Sequence, residues 1–502
     1  MQKNSIHHWY GPTQFYVGQR CVAELASAAR DAGMKHVLLV TSNSVAADSE
    51  IIDPVLAGLG EIDVTIFDQV TIQKRLATVN RGVSIIESEE IDGIVSLGGG
   101  STADAARAMS AVSMTDADPE TLFASVSEDG NIEFSDLSPK TLPVIAIPTT
   151  LSGAEVTCAA GMNIGDPDTG SRKVRSAPMI GPELWPAAVF YDPVLAAQTP
   201  FDILAPSAMN GLDHGIEMVY SRNATPFTDA TAAHGVRLLS ESLPAIGADG
   251  QDLAALERAM MGVALATTGL IDPNSGAKYS LIHAFGHQLA QGFDVQQGRA
   301  HGIVAPAVLN FIFDHIEFNQ TLLANSLGGS PDGDAQEEIV RRTAEIRDSL
   351  GLRAKLRTVN GINKDDIADE QTRKDLQWHL EPYAYFFDKI PQIRISTKTK
   401  KNIGTLLKTV TQVAQRYRTQ FSNEELTLLF KEALHHRPLY RNRQLLKIHR
   451  ARQIRTAPVT IELFVNEPQW FGPSQRAYLE KILRDNAQLK GVPVRFVTQK
   501  GE

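Results

Sequence analysis

Short apolar runs that alternate with helical stretches dominate the first third of the chain. Between His36 and Thr150, four such runs are rich in β-branched residues and bounded by turn residues: HVLLVTSN, DVTIFDQV, GIVSLGGG and VIAIPTT. Helix-like stretches lie between them, around Leu56 and from Ala77 to Glu89. Because strands that alternate with helices pair in parallel, this pattern predicts a parallel α/β sheet.

The pattern changes twice further along the chain. From about Pro182 to Asn360, helical periodicity replaces the strand signals, which predicts an all-α domain. After Asn360 the chain has short mixed elements that end in TIELFVNEP, a helix from Ser474 to Asn486, and GVPVRFVTQ. This order of strand, helix and strand predicts an α+β domain at the end of the chain.

Composition limits the class of protein. Of the 502 residues, 43% are hydrophobic and 21% charged, which is average for globular proteins and excludes disordered, collagen-like and disulfide-scaffold chains. Two cysteines, Cys21 and Cys158, are too few for a disulfide framework and indicate reduced thiols. With no signal-peptide pattern and no run of 18 apolar residues, we expect a cytoplasmic protein that does not cross a membrane.

The net charge of −10 hides an uneven distribution. Residues 371–502 carry 24 Lys and Arg against 11 Asp and Glu, whereas the preceding residues carry 24 basic and 47 acidic side chains. The chain therefore combines an acidic body of charge −23 with a basic tail of charge +13. A tail of this charge favours a polyanionic partner.

A glycine-rich turn follows the third predicted strand. In GIVSLGGGSTADAARAMSA, the residues Gly98, Gly99 and Gly100 come directly after the strand, and a helix opens at Ser101. Glycines let the backbone approach a pyrophosphate closely, and the N–H groups at the positive end of the helix attract its charge. The alternative is a plain tight turn with Ser101 as the helix N-cap.

These residues resemble the iron-type (group III) alcohol dehydrogenase family, which includes glycerol dehydrogenases and is similar in fold to dehydroquinate synthase. GGGSTADAAR matches its GGGSxxDxAK element, with Arg107 at the usual lysine, and AIPTTLSGAEVT resembles its PTTxGTGSE element, one residue shorter. The resemblance covers about residues 8–365. It implies an α/β nucleotide-binding domain, an all-α metal and substrate domain, a homo-oligomer, and coenzyme contacts from Ser42, Gly98, Gly99, Gly100, Ser101, Asp104, Thr149, Thr150 and Lys173.

The coenzyme that this resemblance implies is NAD or NADP. In NAD-preferring relatives an aspartate follows the threonine of the first strand and pairs with the ribose hydroxyls. Here Thr41 is followed by Ser42 and Asn43. Without that carboxylate nothing repels a 2′-phosphate, so both coenzymes remain open.

Polar residues four apart recur in the predicted helical domain. Asn210 and His214 form one such pair, His283 and His287 form another, and His301 lies in RAHGIVAPAVLNF. Residues four apart share a helix face, so each pair can converge on one point, and three histidines suit Zn²⁺ or Fe²⁺. The alternative is a group of buried, hydrogen-bonded histidines without metal.

The family resemblance implies specific roles for these residues. Its ligands, an aspartate and three histidines, fall at Asn210, His214, His283 and His301, and His287 falls near the nicotinamide. The neutral amide of Asn210 is a weaker ligand than a carboxylate, and Asp213 points about 100° away from His214 on a regular helix. The implied reaction is hydride transfer between a small alcohol or aldehyde and nicotinamide, with a metal-held alkoxide and His287 as proton relay.

The tail resembles a different family, the ribosome-assembly GTPase Der (EngA), over about residues 363–502. NKDD fits the NKxD guanine motif and STK fits the SAK motif, which implies guanine contacts from Asn363, Lys364, Asp366, Ser396, Thr397 and Lys398. The chain has no GxxxxGK[ST] phosphate loop, so we expect no GTP hydrolysis. Residues 421–502 are similar to the KH-like domain of Der.

The basic residues of RNRQLLKIHRARQIR suit contacts with ribosomal RNA. The GxxG loop of ordinary KH domains is missing, so we do not expect sequence-specific RNA recognition. The alternative is a merely solvated basic surface.

Together these patterns predict four segments: a dinucleotide-binding α/β domain at 1–181, a helical metal and substrate domain at 182–362, a remnant of a GTPase domain at 363–420 and a KH-like domain at 421–502. Three interpretations of the whole remain open. The first is a metal-assisted, NAD(P)-dependent alcohol oxidoreductase with an RNA-facing tail. The second is a ribosome-biogenesis protein in which the dehydrogenase-like part is a scaffold. The third is an artefactual fusion, which resequencing from Leu356 to Asp388 would expose.

Overall fold

The computed structural model describes two compact units, Met1–Leu356 and Arg357–Glu502. In the first unit it describes residues 11–126, 132–137, 141–164, 175–221, 224–270, 281–293, 295–313 and 318–353. In the second it describes scattered residues between 408 and 416 and residues 419–441, 444–456, 459–471, 473–492 and 494–501.

The first unit combines a parallel sheet with a set of helices. Its described strands are β1 (Gln14–Val17), β2 (His36–Val40), β3 (Asp63–Phe67), β4 (Gly93–Gly98), β5 (Ser125–Val126), β6 (Ile132–Glu133), β7 (Val144–Pro148), β8 (Ala159–Ile164), β9 (Arg175–Ile180) and β10 (Ala188–Tyr191). Its described helices are α1 (Leu25–Asp31), α2 (Asn43–Ala46), α3 (Ser49–Leu59), α4 (Leu76–Ser88), α5 (Gly100–Val112), α6 (Pro193–Ala196), α7 (Phe201–Val219), α8 (Pro226–Ala248), α9 (Leu253–Thr267), α10 (Leu281–Phe293), α11 (Gln297–Ile312), α12 (Gln320–Ser326) and α13 (Ala335–Ser349).

Six strands form one parallel sheet in the order β1-β10-β7-β4-β2-β3, which confirms the predicted parallel α/β fold. Both faces of its central strands are buried. Leu38 and Val40 of β2 pack into one apolar core, whereas Val37 and Leu39 pack into another. This burial on both faces explains why the strand reads as an unbroken apolar run.

Strand β10 lies beyond the predicted end of the α/β domain at residue 181. It pairs with β7 and β1, so it belongs to the sheet although the sequence predicts only helices from about Pro182. Its four residues are too few to show a period. Val189 and Tyr191 of β10 also contribute to the apolar core of helices α7 to α13, so the strand joins the sheet to the helical part.

The second unit has an α+β fold with its own apolar core. Its described elements are α14 (Asn423–His436), β11 (Tyr440–Arg441), β12 (Gln444–Leu445), β13 (Ile448–Arg455), β14 (Val459–Val465), α15 (Pro473–Asn486) and β15 (Val494–Lys500). Strand β14 pairs antiparallel with β13 and parallel with β15, with α15 as the crossover. The predicted strand, helix and strand at the end of the chain are confirmed.

Among the described residues, none of the helices combines the length and apolar character that a membrane span requires. The division into four segments stays a prediction.

Candidate active site

The glycine turn lies where β4 ends and α5 begins. Gly98 has φ +139°, a conformation that favours glycine, and Gly99 precedes α5 without any side chain capping the helix. A Cβ at Gly99 would lie 3.2 Å from Thr150 Cγ2, and one at Gly100 would lie 2.8 Å from Ser152 Oγ. The turn therefore leaves N–H groups at a helix N-terminus and has no room for side chains, which suits a pyrophosphate.

The structure brings most of the predicted coenzyme residues to one edge of the sheet. The Thr149 N–H donates to Gly98 O at 2.9 Å, which places Thr149 and Thr150 beside the glycine turn and Ser101. Ser42 follows β2, the neighbour of β4, and caps α2 by accepting from Val45 N at 3.4 Å. Lys173 lies outside the described residues.

Asp104, the remaining predicted coenzyme residue, is bound by two cations. One carboxylate oxygen accepts from Lys74 Nζ at 2.9 Å, and the other accepts from Arg107 at 2.9 Å. The buried Arg107 also donates to Thr157 O at 2.6 Å. Asp104 thus organises basic side chains beside the turn. Lys74 was missed in the sequence because it lies in a connection without a motif.

Four histidines from three helices come together in the helical part and are named here the histidine cluster: His214 of α7, His283 and His287 of α10, and His301 of α11. The ring centroids of His214 and His283 are 4.8 Å apart, those of His283 and His301 are 4.3 Å apart, and those of His283 and His287 are 6.1 Å apart. The structure therefore brings together the histidines that the sequence singles out.

Two buried carboxyl groups, those of Glu217 and Asp213, lie against this cluster. Glu217 Oε2 lies 2.6 Å from His283 Nδ1, and Glu217 Oε1 accepts from the N–H groups of Ile282 and His283 at 2.9 and 3.2 Å. Asp213 Oδ2 lies 3.2 Å from His301 Nδ1, close enough for an ion pair but without hydrogen-bond geometry. Asp213 does point away from His214, and it meets a histidine of another helix instead.

Burial sets the protonation of the cluster. Desolvation lowers the pKa of all four imidazoles and, together with the charge of neighbouring histidines, keeps His214 and His283 neutral. The pKa of His287 falls to about 4, first through burial and then through the charges of His301 and Lys74. Burial raises the pKa of Asp213 well above its usual value, and the nearby Glu217 adds to this effect.

Asn210 connects the cluster to the coenzyme side. Its Nδ2 donates to Ser152 O at 3.0 Å and lies 3.4 Å from His214 Nε2, while its Oδ1 accepts from Gln297 Nε2 at 3.2 Å. Ser152 is the residue against which Gly100 packs. One amide thus joins the helix that carries His214 to the loop beside the glycine turn.

A second glycine shapes the cluster from within α10. A Cβ at Gly286 would overlap Cδ2 and Nε2 of His301. The missing side chain lets the imidazole lie directly against the helix, so α10 and α11 can approach closely enough to bring His283 and His301 into contact.

The sequence matches two consecutive domain models of one family. Residues 12–193 match the model described as iron-containing alcohol dehydrogenase, and residues 204–374 match the C-terminal model of the Fe-containing alcohol dehydrogenase family. Over this region the chain belongs to the iron-containing alcohol dehydrogenase family. Residues 420–499 match the KH-domain-like model of the C-terminal part of EngA bacterial GTPases. The first predicted resemblance is confirmed, with a match that extends to residue 374, and the second is confirmed for the KH-like domain, so one chain carries both.

Curated relatives in the iron-containing alcohol dehydrogenase family have several activities. The NAD-dependent methanol dehydrogenase of Bacillus methanolicus is 27% identical over 72% of this chain and 91% of its own length. The 1,3-propanediol dehydrogenase of Citrobacter freundii is 28% identical over 72% and 88%. The maleylacetate reductase of Rhizobium sp. (strain MTP-10005) is 26% identical over 63% and 79%.

Solved structures of the family share the fold. A 1,3-propanediol oxidoreductase gives a TM-score of 0.63 at 24% identity over 71% of this chain and 90% of that chain. The sulfoacetaldehyde reductase of Bifidobacterium kashiwanohense, in complex with NAD⁺, gives 0.61 at 21% identity over 74% and 92%.

The family description names iron, and the histidine cluster has suitable donor chemistry. Glu217 and Thr267 contact Nδ1 of His283 and His214, which directs Nε2 of each ring to act as the ligand nitrogen. Within the described ranges no group of three or more His, Cys, Asp or Glu side chains is placed to hold a metal ion. The imidazole nitrogens fit a divalent metal in their chemistry but not in their present positions, and Asn210 is the weakest donor of the set.

The guanine-motif residues Asn363, Lys364, Asp366, Ser396, Thr397 and Lys398 lie outside the described residues.

Proposed function

We propose that residues 12–374 form an NAD(P)-dependent oxidoreductase that transfers hydride between an alcohol and nicotinamide. The observation that carries this proposal is the hydrogen bond from Asn210 to Ser152, because it joins the glycine turn to the histidine cluster. A coenzyme whose pyrophosphate lies at Gly98–Gly100 can then present its nicotinamide to the cluster. The activities of the methanol and propanediol dehydrogenases support an alcohol or aldehyde substrate.

His287 is the proposed proton relay. Its lowered pKa keeps the imidazole neutral at physiological pH, so a ring nitrogen can accept a proton. In the oxidative direction the hydroxyl proton passes to His287, the hydride leaves the carbinol carbon for nicotinamide C4, and a carbonyl remains. In the reductive direction the proton and the hydride return.

Asn210, His214, His283 and His301 are the residues that would hold a divalent metal, Fe²⁺ or Zn²⁺. When bound, the metal supplies positive charge that lowers the pKa of the substrate hydroxyl. Glu217 fixes the ring of His283, and Thr267 contacts Nδ1 of His214. A chelator titration that removes activity, with recovery on adding either metal, tests this role.

The relay role is tested by His287→Ala with the exposed His234→Ala as matched control. We expect His287→Ala to lower kcat about a hundredfold while the Kd for the coenzyme stays unchanged, and the control to behave as wild type. An unchanged turnover number would exclude the relay. Absence of alcohol oxidation with both coenzymes and both metals would exclude the oxidoreductase function.

The coenzyme remains NAD or NADP. The turn after β2 consists of Ser42 and Asn43 and contains no carboxylate. However, Asn43 Nδ2 donates to Asp68 Oδ2 at 3.2 Å, so a negative charge lies beside the turn. The ratio of kcat/KM for the two coenzymes decides between them.

A second function is supported by the sheet of the KH-like unit. Arg450 and Arg495 are exposed on the face of the sheet that also carries Phe464, with the Arg450 guanidinium 4.2 Å from the Phe464 ring centroid. We propose that this face contacts the phosphates of ribosomal RNA. Salt-sensitive co-sedimentation with ribosomal subunits should weaken in Arg450→Glu. It should not weaken in the control Lys481→Glu, which makes the same charge change on α15. Equal effects of the two substitutions would exclude this sheet face as the RNA contact.

A further inference from the structure

Lys74 is a partly exposed cation whose backbone is held in an unusual conformation. It lies between β3 and α4 with φ +47°, in the left-handed region that non-glycine residues enter at a cost in free energy. The Lys74 N–H donates to Thr71 O at 3.1 Å, and Lys74 O accepts from Asn163 N at 2.9 Å. These two hydrogen bonds fix the backbone of Lys74 and therefore the position from which its side chain extends.

The charge around Lys74 is not balanced. Asp104 is a single carboxylate, yet it pairs with both Lys74 and Arg107 at 2.9 Å. Arg107 is 1% exposed and Lys74 is 29% exposed, so the excess positive charge reaches solvent at Lys74. Burial raises the pKa of the nearby Glu155 and disfavours a second negative charge in this group. A ligand anion would complete the pairing.

Lys74 lies beside the first turns of α5. A Cβ at Gly161 of β8 would lie 3.4 Å from both Lys74 Nζ and Asp104 Oδ2, and Asp104 lies one turn along α5 from the glycine turn. The glycine turn packs in turn against Ser152, whose carbonyl accepts from Asn210 beside His214. Lys74 therefore lies beside the part of α5 that Ser152 and Asn210 connect to the histidine cluster.

Resting on the proposed function, we propose that Lys74 is a specificity-determining residue that binds a substrate carboxylate, so that the enzyme prefers oxo acids to neutral aldehydes. The ammonium group would share its protons between Asp104 and the substrate, as charge-assisted hydrogen bonds allow. The substrate's carbonyl would then extend from Lys74 toward His287.

The test compares two substrates of equal chain length, 4-oxobutanoate and butanal, in wild type, Lys74→Met and Lys74→Arg. We expect wild type to prefer the acid by about tenfold or more in kcat/KM, and Lys74→Met to lose that preference because kcat/KM falls much more for the acid than for butanal. Lys74→Arg keeps the charge and should keep the preference. Succinate should inhibit wild type more strongly than Lys74→Met.

The Kd for the reduced coenzyme, measured by fluorescence titration, completes the test. An unchanged Kd supports a substrate contact, whereas a Kd that rises with an unchanged acid-to-neutral ratio overturns the proposal in favour of a coenzyme contact. Equal losses with both substrates also overturn it, since they indicate a structural role. Butanal reduction without an acid preference in wild type refutes this proposal alone, and reduction of neither substrate refutes the proposed function as well.

Discussion

Replacement of Glu217 by alanine should destabilise the first unit more than most single substitutions. Glu217 is fully buried and, among the described residues, accepts from the N–H groups of Ile282 and His283, from the Tyr220 hydroxyl at 3.0 Å and, on its other oxygen, from His283 Nδ1. It thereby caps the N-terminus of α10 from α7 and fixes a ring of the histidine cluster.

The expected loss follows from those contacts. A buried donor left without a partner costs about 1–3 kcal/mol, and Glu217→Ala removes the acceptor of several buried donors at once. Relaxation of the first turn of α10 and entry of water recover part of this sum. We therefore expect Glu217→Ala to lower the free energy of unfolding of the first unit by about 4 kcal/mol.

Glu217→Gln separates stability from positioning. The amide oxygen can still accept from Ile282, His283 and Tyr220, so the loss of stability should be only about 1 kcal/mol. Its NH₂ group now faces His283 Nδ1, which must become an acceptor, and the ring proton moves to Nε2. We expect divalent metal affinity to fall about 10- to 100-fold as a result.

The assay is urea unfolding followed by hydrogen-exchange mass spectrometry, which reports peptides of α10 separately from the tail. Metal affinity comes from calorimetric titration, and the His283 tautomer from nitrogen NMR. A loss below about 1 kcal/mol for Glu217→Ala would refute the capping argument. Wild-type metal affinity in Glu217→Gln would refute the positioning argument.

Three further changes test the site. Asn210→Asp adds a carboxylate at the weakest donor and should tighten divalent metal binding at least about tenfold in calorimetric titration; weaker binding would contradict this. Ser42→Asp should lower kcat/KM for the NADP pair about tenfold or more through repulsion of the 2′-phosphate and leave the NAD pair within a few-fold; equal losses would indicate local misfolding. Acid should destabilise the first unit. Burial lowers the pKa values of His287 and His301 to about 4, so their stabilising contribution is complete above pH 6.5 and is lost as the pH falls toward about 4; the lowered pKa values of His214 and His283 act in the same direction. The raised pKa values of Asp213 and Glu155 act in the opposite direction and offset part of this loss. A urea midpoint that is higher at about pH 5 than at about pH 7 would exclude this balance.

Much of the fold was predictable because the hydrophobic period and the length of a strand or helix can be recognised in the local sequence. β2 and β4 are apolar runs bounded by turns, and their burial on two faces produces that pattern. β10 escaped prediction because its four residues carry no period, and only pairing with β1 and β7 makes it a strand. Tertiary pairing of this kind has no local signal.

The site was predictable where chemistry depends on residue type and spacing. The histidines stand out as residues four apart, but their carboxylate partners do not, because a Glu or Asp in a helix usually marks a solvated face. A signal existed at Glu217, since HGIEMVY places one acid in an otherwise apolar helix segment. Lys74 had no such signal, because its pairing with Asp104 joins a loop to a distant helix.

Gly286 shows that part of this site is specified by an atom that is missing. Any substitution there adds a Cβ, and that carbon meets the imidazole of His301 whatever the rest of the side chain is. The position therefore offers no conservative replacement, and a change as small as alanine should act on the site as strongly as removal of a histidine. Gly286 therefore matters to the site although it has no side chain that could bind or react.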